Sequence, residues 1–111
     1  MNKYGAKKTT CASGHSHDSK REAARCIELH LLQICGEISD LDVHPKYEFF
    51  IDYKPVKMRN GHTAGYTADF EYIEGGKLIW EDVKGMIVRD FPLRSALFRH
   101  LNPDIELRIT K

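Results

Sequence analysis

Long apolar runs, cysteine and an excess of charge of either sign are all scarce in this chain of 111 residues. No stretch approaches the roughly 20 consecutive apolar residues of a membrane-spanning helix, which excludes that class of membrane protein. No charged-then-apolar leader resembles a secretion signal, so the expectation is a cytosolic protein. Cys11, Cys26 and Cys35 leave one thiol over under any disulfide scheme. Free thiols in a reducing compartment are therefore expected, not a disulfide framework. Lys and Arg number 17 against 16 Asp and Glu, a formal net charge of +1. That balance excludes histone-like binding to nucleic acid and leaves only local basic surfaces. Lys3, Lys7, Lys8, Lys20 and Arg21 form one candidate surface, and Lys54, Lys57 and Arg59 another. Internal repeats and low-complexity linkers are also lacking.

What remains is enough for one domain with a modest core, since 41% of residues are hydrophobic. Residues 1–17 carry little periodic apolar signal and read as a flexible or irregular N-terminal arm, leaving 18–111 as the domain. In "DSKREAARCIELHLLQICGEI", Ser19 and Glu22 have capping-box spacing at the start of a helix. Ala23, Ile27, His30, Leu31 and Ile34 recur at helical spacing, and Gly36 is a natural terminator. Tyr47, Phe49, Ile51 and Tyr53 alternate with Glu48, Phe50 and Asp52, which predicts a strand. A turn-bearing loop with Pro55 and Asn60-Gly61 leads to a hairpin over 66–85. A second helix then places Leu93, Ala96, Leu97, His100 and Leu101 on one face, with Pro92 in its first turn and Pro103 at its end. Ile105, Leu107 and Ile109 mark a last strand. The order αβββαβ predicts an α/β fold with a mixed sheet flanked by helices.

The hairpin "YTADFEYIEGGKLIWEDVKG" poses a chemical question. With Gly75-Gly76 as a two-residue turn, Glu74 pairs with Lys77, Ile73 with Leu78 and Glu71 with Trp80. Continued, this register sets Asp69 opposite Asp82 and Thr67 opposite Lys84. Asp69, Asp82 and Lys84 then share one face, and Tyr66, Ala68, Phe70, Tyr72, Ile79 and Val83 form an apolar opposite face interrupted by Glu81. Carboxylates directly opposite each other lie about 5 Å apart at Cβ and repel. A shared proton, a neighbouring cation or a bound metal ion relieves that repulsion; solvation at an exposed strand end is the plainer alternative. Hard cations such as Mg²⁺ favour clustered oxygens of this kind. Glu22, explicable as a cap alone, adds a third carboxylate that precedes the other two in the chain.

Glu on a helix, Asp on a strand and Asp-x-Lys on the next strand resemble the PD-(D/E)xK nuclease superfamily. Within it, the chain looks like a family of small phage-encoded proteins. The likeness runs through "NKYGAKK", "DSKREA", "YTADF" and "EDVKG" to the terminal helix and strand. The αβββαβ order is that superfamily's restriction-endonuclease-like core, although Ala68 stands where the superfamily has a proline. The resemblance implies catalytic roles for Glu22, Asp69, Asp82 and Lys84. Mg²⁺, with Mn²⁺ able to substitute, would be held by Asp69, Asp82, the Val83 carbonyl and Glu22. Lys84 would orient the attacking water and stabilise charge on the phosphate.

The implied activity is metal-dependent hydrolysis of DNA phosphodiesters. Relatives include Holliday-junction resolvases, so the DNA expected is duplex or branched and selected by shape. A homodimer would supply two sites for two strands, and a phage-encoded chain would work in the bacterial host cytoplasm. Two other readings stand beside this one. One is a non-catalytic DNA-binding or assembly module that keeps the fold. The other is a zinc-binding accessory protein using Cys11, His15 and His17, three ligands where structural zinc takes four. His15, His17 and His62 are also candidate bases, and Tyr66 and Trp80 either stack on bases or pack on the sheet.

Overall fold

The computed structural model describes residues 9–10, 16–17, 20–83 and 91–110. The chain order is β1 (Thr9–Thr10), β2 (Ser16–His17), α1 (Lys20–Ile34), β3 (Ser39–Val43), β4 (Lys46–Glu48), β5 (Phe50–Ile51), β6 (Lys54–Pro55), β7 (Gly65–Thr67), β8 (Phe70–Glu74), β9 (Lys77–Val83), α2 (Phe91–Leu101) and β10 (Glu106–Thr110). The principal sheet has four strands in the order β10-β9-β8-β3. β10 runs parallel to β9, and the other two pairings are antiparallel. The parallel pair needs a crossover, which α2 supplies. Core elements therefore follow the order α1-β3-β8-β9-α2-β10, the expected αβββαβ arrangement with a mixed sheet.

Gly75 and Gly76 have φ of 59° and 77°, the conformation of a type I′ turn whose twist suits a hairpin. The pairs Glu74–Lys77, Ile73–Leu78 and Glu71–Trp80 form as expected. Trp80 also donates to Glu71 across the strands at 2.7 Å. The register ends at Phe70–Glu81, because the chain bends at Ala68–Asp69. Thr67 pairs with Lys46 on β4, and Lys84, its expected partner, lies outside the described residues. The long strand expected over 66–74 is thus two strands, β7 and β8, in different sheets.

That bend redistributes the core over both faces of the principal sheet. Phe70, Tyr72 and Ile79 pack with Ala23, Cys26, Leu29 and Ile38 on the α1 side. Tyr66 and Ala68, expected with them, instead join Phe49, Trp80 and Phe98 on the α2 side. The Trp80 and Phe98 rings stack there with centroids 4.5 Å apart. Tyr66 and Trp80 are accordingly packing residues with little surface to offer a base.

Both helices form; α1 turns a different face inward from the one its spacing suggests, whereas α2 sets Leu97 and Leu101 of its expected face against the core. On α1 the buried residues are Glu22, Ala23, Cys26 and Leu29, while Ile27, Leu31 and Ile34 are exposed. α1 ends in a Schellman motif: Glu37 N–H bonds Leu32 C=O, Gly36 N–H bonds Gln33 C=O, and Gly36 takes a φ of 82°. On α2 Ser95 and Phe98 are buried and Leu93 is exposed. α2 sets Phe98 into the aromatic cluster, its ring 5.1 Å from Tyr66 and 4.5 Å from Trp80 between centroids.

The first core strand is β3, not the aromatic stretch 47–53. Its pairing slips between Ser39–Ile73 and Asp42–Glu71, and Asp40 has a φ of 54°. Three residues on β3 therefore span two on β8, a bulge. The aromatic stretch divides at buried Phe49 into β4, paired with β7, and β5, paired with β6. Within the expected N-terminal arm, β1 and β2 pair antiparallel and lie against α1; the rest of residues 1–17 lies outside the described residues.

Candidate metal centre

Three separate elements meet where β8 and β9 part at Asp69. Backbone bonds hold that residue: its N–H donates to Glu81 C=O at 3.1 Å, and its C=O accepts the His44 N–H at 2.9 Å. Its carboxylate Oδ2 accepts the Val83 N–H at 2.7 Å. Asp69 thus replaces the pairing that β8 would have made with the end of β9.

Glu22 arrives from the first turn of α1, nearly buried at 5% exposure. His44 follows β3 directly and faces Glu22, with its Nε2 2.9 Å from Glu22 Oε2. A left-handed backbone, φ 58°, turns its ring back along the strand end. One ligand atom each from Glu22, His44 and Asp69 lies within 4.8 Å of the others. Two carboxylates and an imidazole at that spacing match the donors of a divalent cation.

Asp82 occupies a different position. Its side chain is wholly buried, and its Oδ2 accepts the Tyr66 hydroxyl. It is not part of the group formed by Glu22, His44 and Asp69. Strand alternation accounts for this: Glu81 and Val83 point to the α1 side and Asp82 to the other. Val83 borders the site through its amide. Lys84 lies outside the described residues.

Glu81, the acid that interrupted the apolar pattern, is a structural anchor. Arg25 grips it with Nε–Oε2 at 2.7 Å and Nη2–Oε1 at 3.0 Å. Tyr72 donates to it at 2.5 Å and Thr110 at 3.2 Å. Burial pushes its carboxyl pKa up, yet the bonds and charge of Arg25 and the hydroxyls outweigh this and hold it below the ordinary value of 4.5. Burial first, and then the neighbouring Glu81 carboxylate, pushes the Tyr72 phenol up to about 12. Tyr72 also receives a bond from Arg108 at 3.3 Å.

Arg21, Ala24, Arg25, Glu28, Val83 and Thr110 line a hollow of about 290 Å³ between α1 and the sheet edge. Lys20 and Arg21 stand exposed on the first turn of α1, and Lys54, Lys57 and Arg59 are exposed on the β5–β6 side. Lys3, Lys7 and Lys8 lie outside the described residues, as do Cys11, His15 and the side chain of His17. His62 is exposed in the loop after Asn60.

Sequence reasoning singled out Glu22 and Asp69 but missed His44. The only signal was Leu41 and Val43 alternating with Asp40 and Asp42 just before His44-Pro45. Aspartates are poor strand formers, and they masked it.

Among the described residues, no helix is long and apolar enough to cross a membrane. A family model described as "Protein of unknown function (DUF1064)" matches residues 1–111, and the chain belongs to that family. Among curated proteins and among solved structures nothing matches it.

Proposed function

We propose that this protein is a metal-dependent DNA endonuclease of the PD-(D/E)xK type. The observation that carries the reading is the meeting of Glu22 and Asp69, 47 residues apart in sequence, with His44 inside a 4.8 Å group. A fold gains nothing from gathering two carboxylates unless something offsets their repulsion. A divalent ion bound by these three residues would supply positive charge for the phosphate and lower the pKa of its water.

The chain's own groups do the rest. Glu22, His44 and Asp69 hold the ion. Val83 fixes the Asp69 carboxylate through its amide. Lys84 orients the attacking water and takes up charge on the phosphate, the role the resemblance implies. Asp82 lies on the other face of β9 with its Oδ2 bonded to the Tyr66 hydroxyl and stands outside the group, so Asp69 is the principal aspartate. Arg21 at the hollow beside Val83, with Lys54, Lys57 and Arg59, supplies phosphate contacts. The substrate is duplex or branched DNA recognised by shape, and a homodimer acting in the cytoplasm would provide one site per strand.

A second reading has its own observation. Asp82 is buried against an aromatic cluster, as it would be in a DNA-binding or assembly module that keeps the fold without the chemistry. Incubation with plasmid, nicked, flap and four-way-junction DNA distinguishes the two. The nuclease reading expects divalent-dependent cleavage of at least one form that EDTA abolishes. Salt-sensitive binding without cleavage, at any Mg²⁺ or Mn²⁺ concentration, would decide for the module.

A further inference from the structure

From the composition of the three-residue group we infer that His44 is a metal ligand and that the site prefers Mn²⁺ to Mg²⁺; this rests on the metal-dependent reading above. The resemblance assigns ligands that are all oxygens, from Glu22, Asp69, Asp82 and Val83. The structure brings together a different set: Glu22, Asp69 and an imidazole nitrogen, with the Asp82 carboxylate bonded to Tyr66.

The identity of the third donor decides which ion is favoured. Mg²⁺ takes oxygen ligands and dehydrates reluctantly. Imidazole nitrogen suits first-row transition metals, and Mn²⁺ accepts carboxylate and imidazole together. His44 is placed for this role by more than proximity to Glu22. Its main-chain N–H is tied to the Asp69 carbonyl, which holds the two backbones side by side. The left-handed φ of 58° is one that few side chains adopt. Glu22, His44 and Asp69 would hold the ion, and binding it would replace the His44–Glu22 hydrogen bond.

The test needs no catalytic turnover. Mn²⁺ binding to the full chain is read from loss of the free-ion EPR signal, and Mg²⁺ binding from competition against Mn²⁺ and from calorimetry. The wild type should bind Mn²⁺ at least about tenfold more tightly than Mg²⁺. His44→Asn is the informative variant, because Asn tolerates the left-handed backbone and offers an oxygen in place of nitrogen. It should bring the two affinities to within about threefold, chiefly by weakening Mn²⁺. Pulsed EPR of the Mn²⁺-loaded wild type, independent of how the variant folds, should show coupling to an imidazole nitrogen. Equal affinities in the wild type, an unchanged preference in a folded His44→Asn, or no nitrogen coupling would each overturn the inference while leaving a metal-dependent nuclease intact. Failure to bind either ion would overturn the inference and the metal-dependent reading together.

Discussion

Removing Arg25 should expose how much of this fold depends on satisfying one buried acid. The Glu81 side chain is fully buried, whereas Arg25 retains 23% exposure. Arg25→Ala deletes both guanidinium bonds and leaves the carboxylate with the Tyr72 and Thr110 hydroxyls alone. Breaking a buried ion pair from one side costs about 3–5 kcal/mol, and the partial exposure of Arg25 argues for the lower end. For a domain of this size about 3 kcal/mol corresponds to roughly 10–20 °C in Tm.

The pH dependence follows from the same geometry. Glu81's pKa is depressed in the folded wild type. Its contribution to stability is therefore complete above the unfolded value of 4.5 and is lost as pH falls through the lower folded value. Without Arg25, burial dominates and the carboxyl pKa rises. Protonation then relieves the variant, and the gap between it and the wild type should narrow as pH drops from 7 towards 4. Denaturant melts of both proteins across that range provide the measurement. A difference below about 1 kcal/mol at pH 7, or one that does not change with pH, would refute the assignment of Glu81 as a charged anchor.

Three further substitutions probe separate parts of the structure. Tyr53 is fully exposed at the β5–β6 turn with φ 64°, so Tyr53→Gly should relieve a left-handed residue and raise stability by about 1 kcal/mol in thermal melts. Gly65→Ala would place a Cβ 2.6 Å from the Tyr47 carbonyl oxygen on the paired strand; chemical denaturation should show a loss of about 1–3 kcal/mol. Lys84→Ala should leave DNA and metal binding in place while single-turnover cleavage slows by about a hundred- to thousand-fold. A less stable Lys84→Ala protein derived from an inactive wild type would instead mark Lys84 as a structural counter-ion.

How legible the molecule was depended on whether a signal was local. The Gly75-Gly76 turn fixes its neighbours' pairing through backbone conformation alone, and that register follows from four or five residues. The helix termini and β10 are equally local. Helix faces are not: Ile27, Leu31 and Ile34 form as good a stripe as Ala23, Cys26 and Leu29, and the choice between them is made by the sheet. Glu22 lies on the inward face and meets His44, 22 residues on in the chain. The bend at Ala68–Asp69 was hidden for a similar reason. Alternation continues unbroken through 66–72 in the sequence, and only the bonds from Asp69 to His44, Glu81 and Val83 show the strand ending. Asp69 was nevertheless identifiable as an acid without an obvious structural use, and Glu22, explicable as a cap, through its place ahead of the two aspartates, whereas His44 required the fold.

The most direct test is single-turnover cleavage of a labelled four-way junction and of plain duplex in Mn²⁺, by the wild type and Asp69→Asn side by side. The account predicts cleavage of at least one substrate by the wild type, abolished by EDTA, with Asp69→Asn folded, still bound to DNA and slower by at least about a hundredfold. Equal cleavage by the two proteins, or none by a folded wild type that binds the DNA, would contradict it.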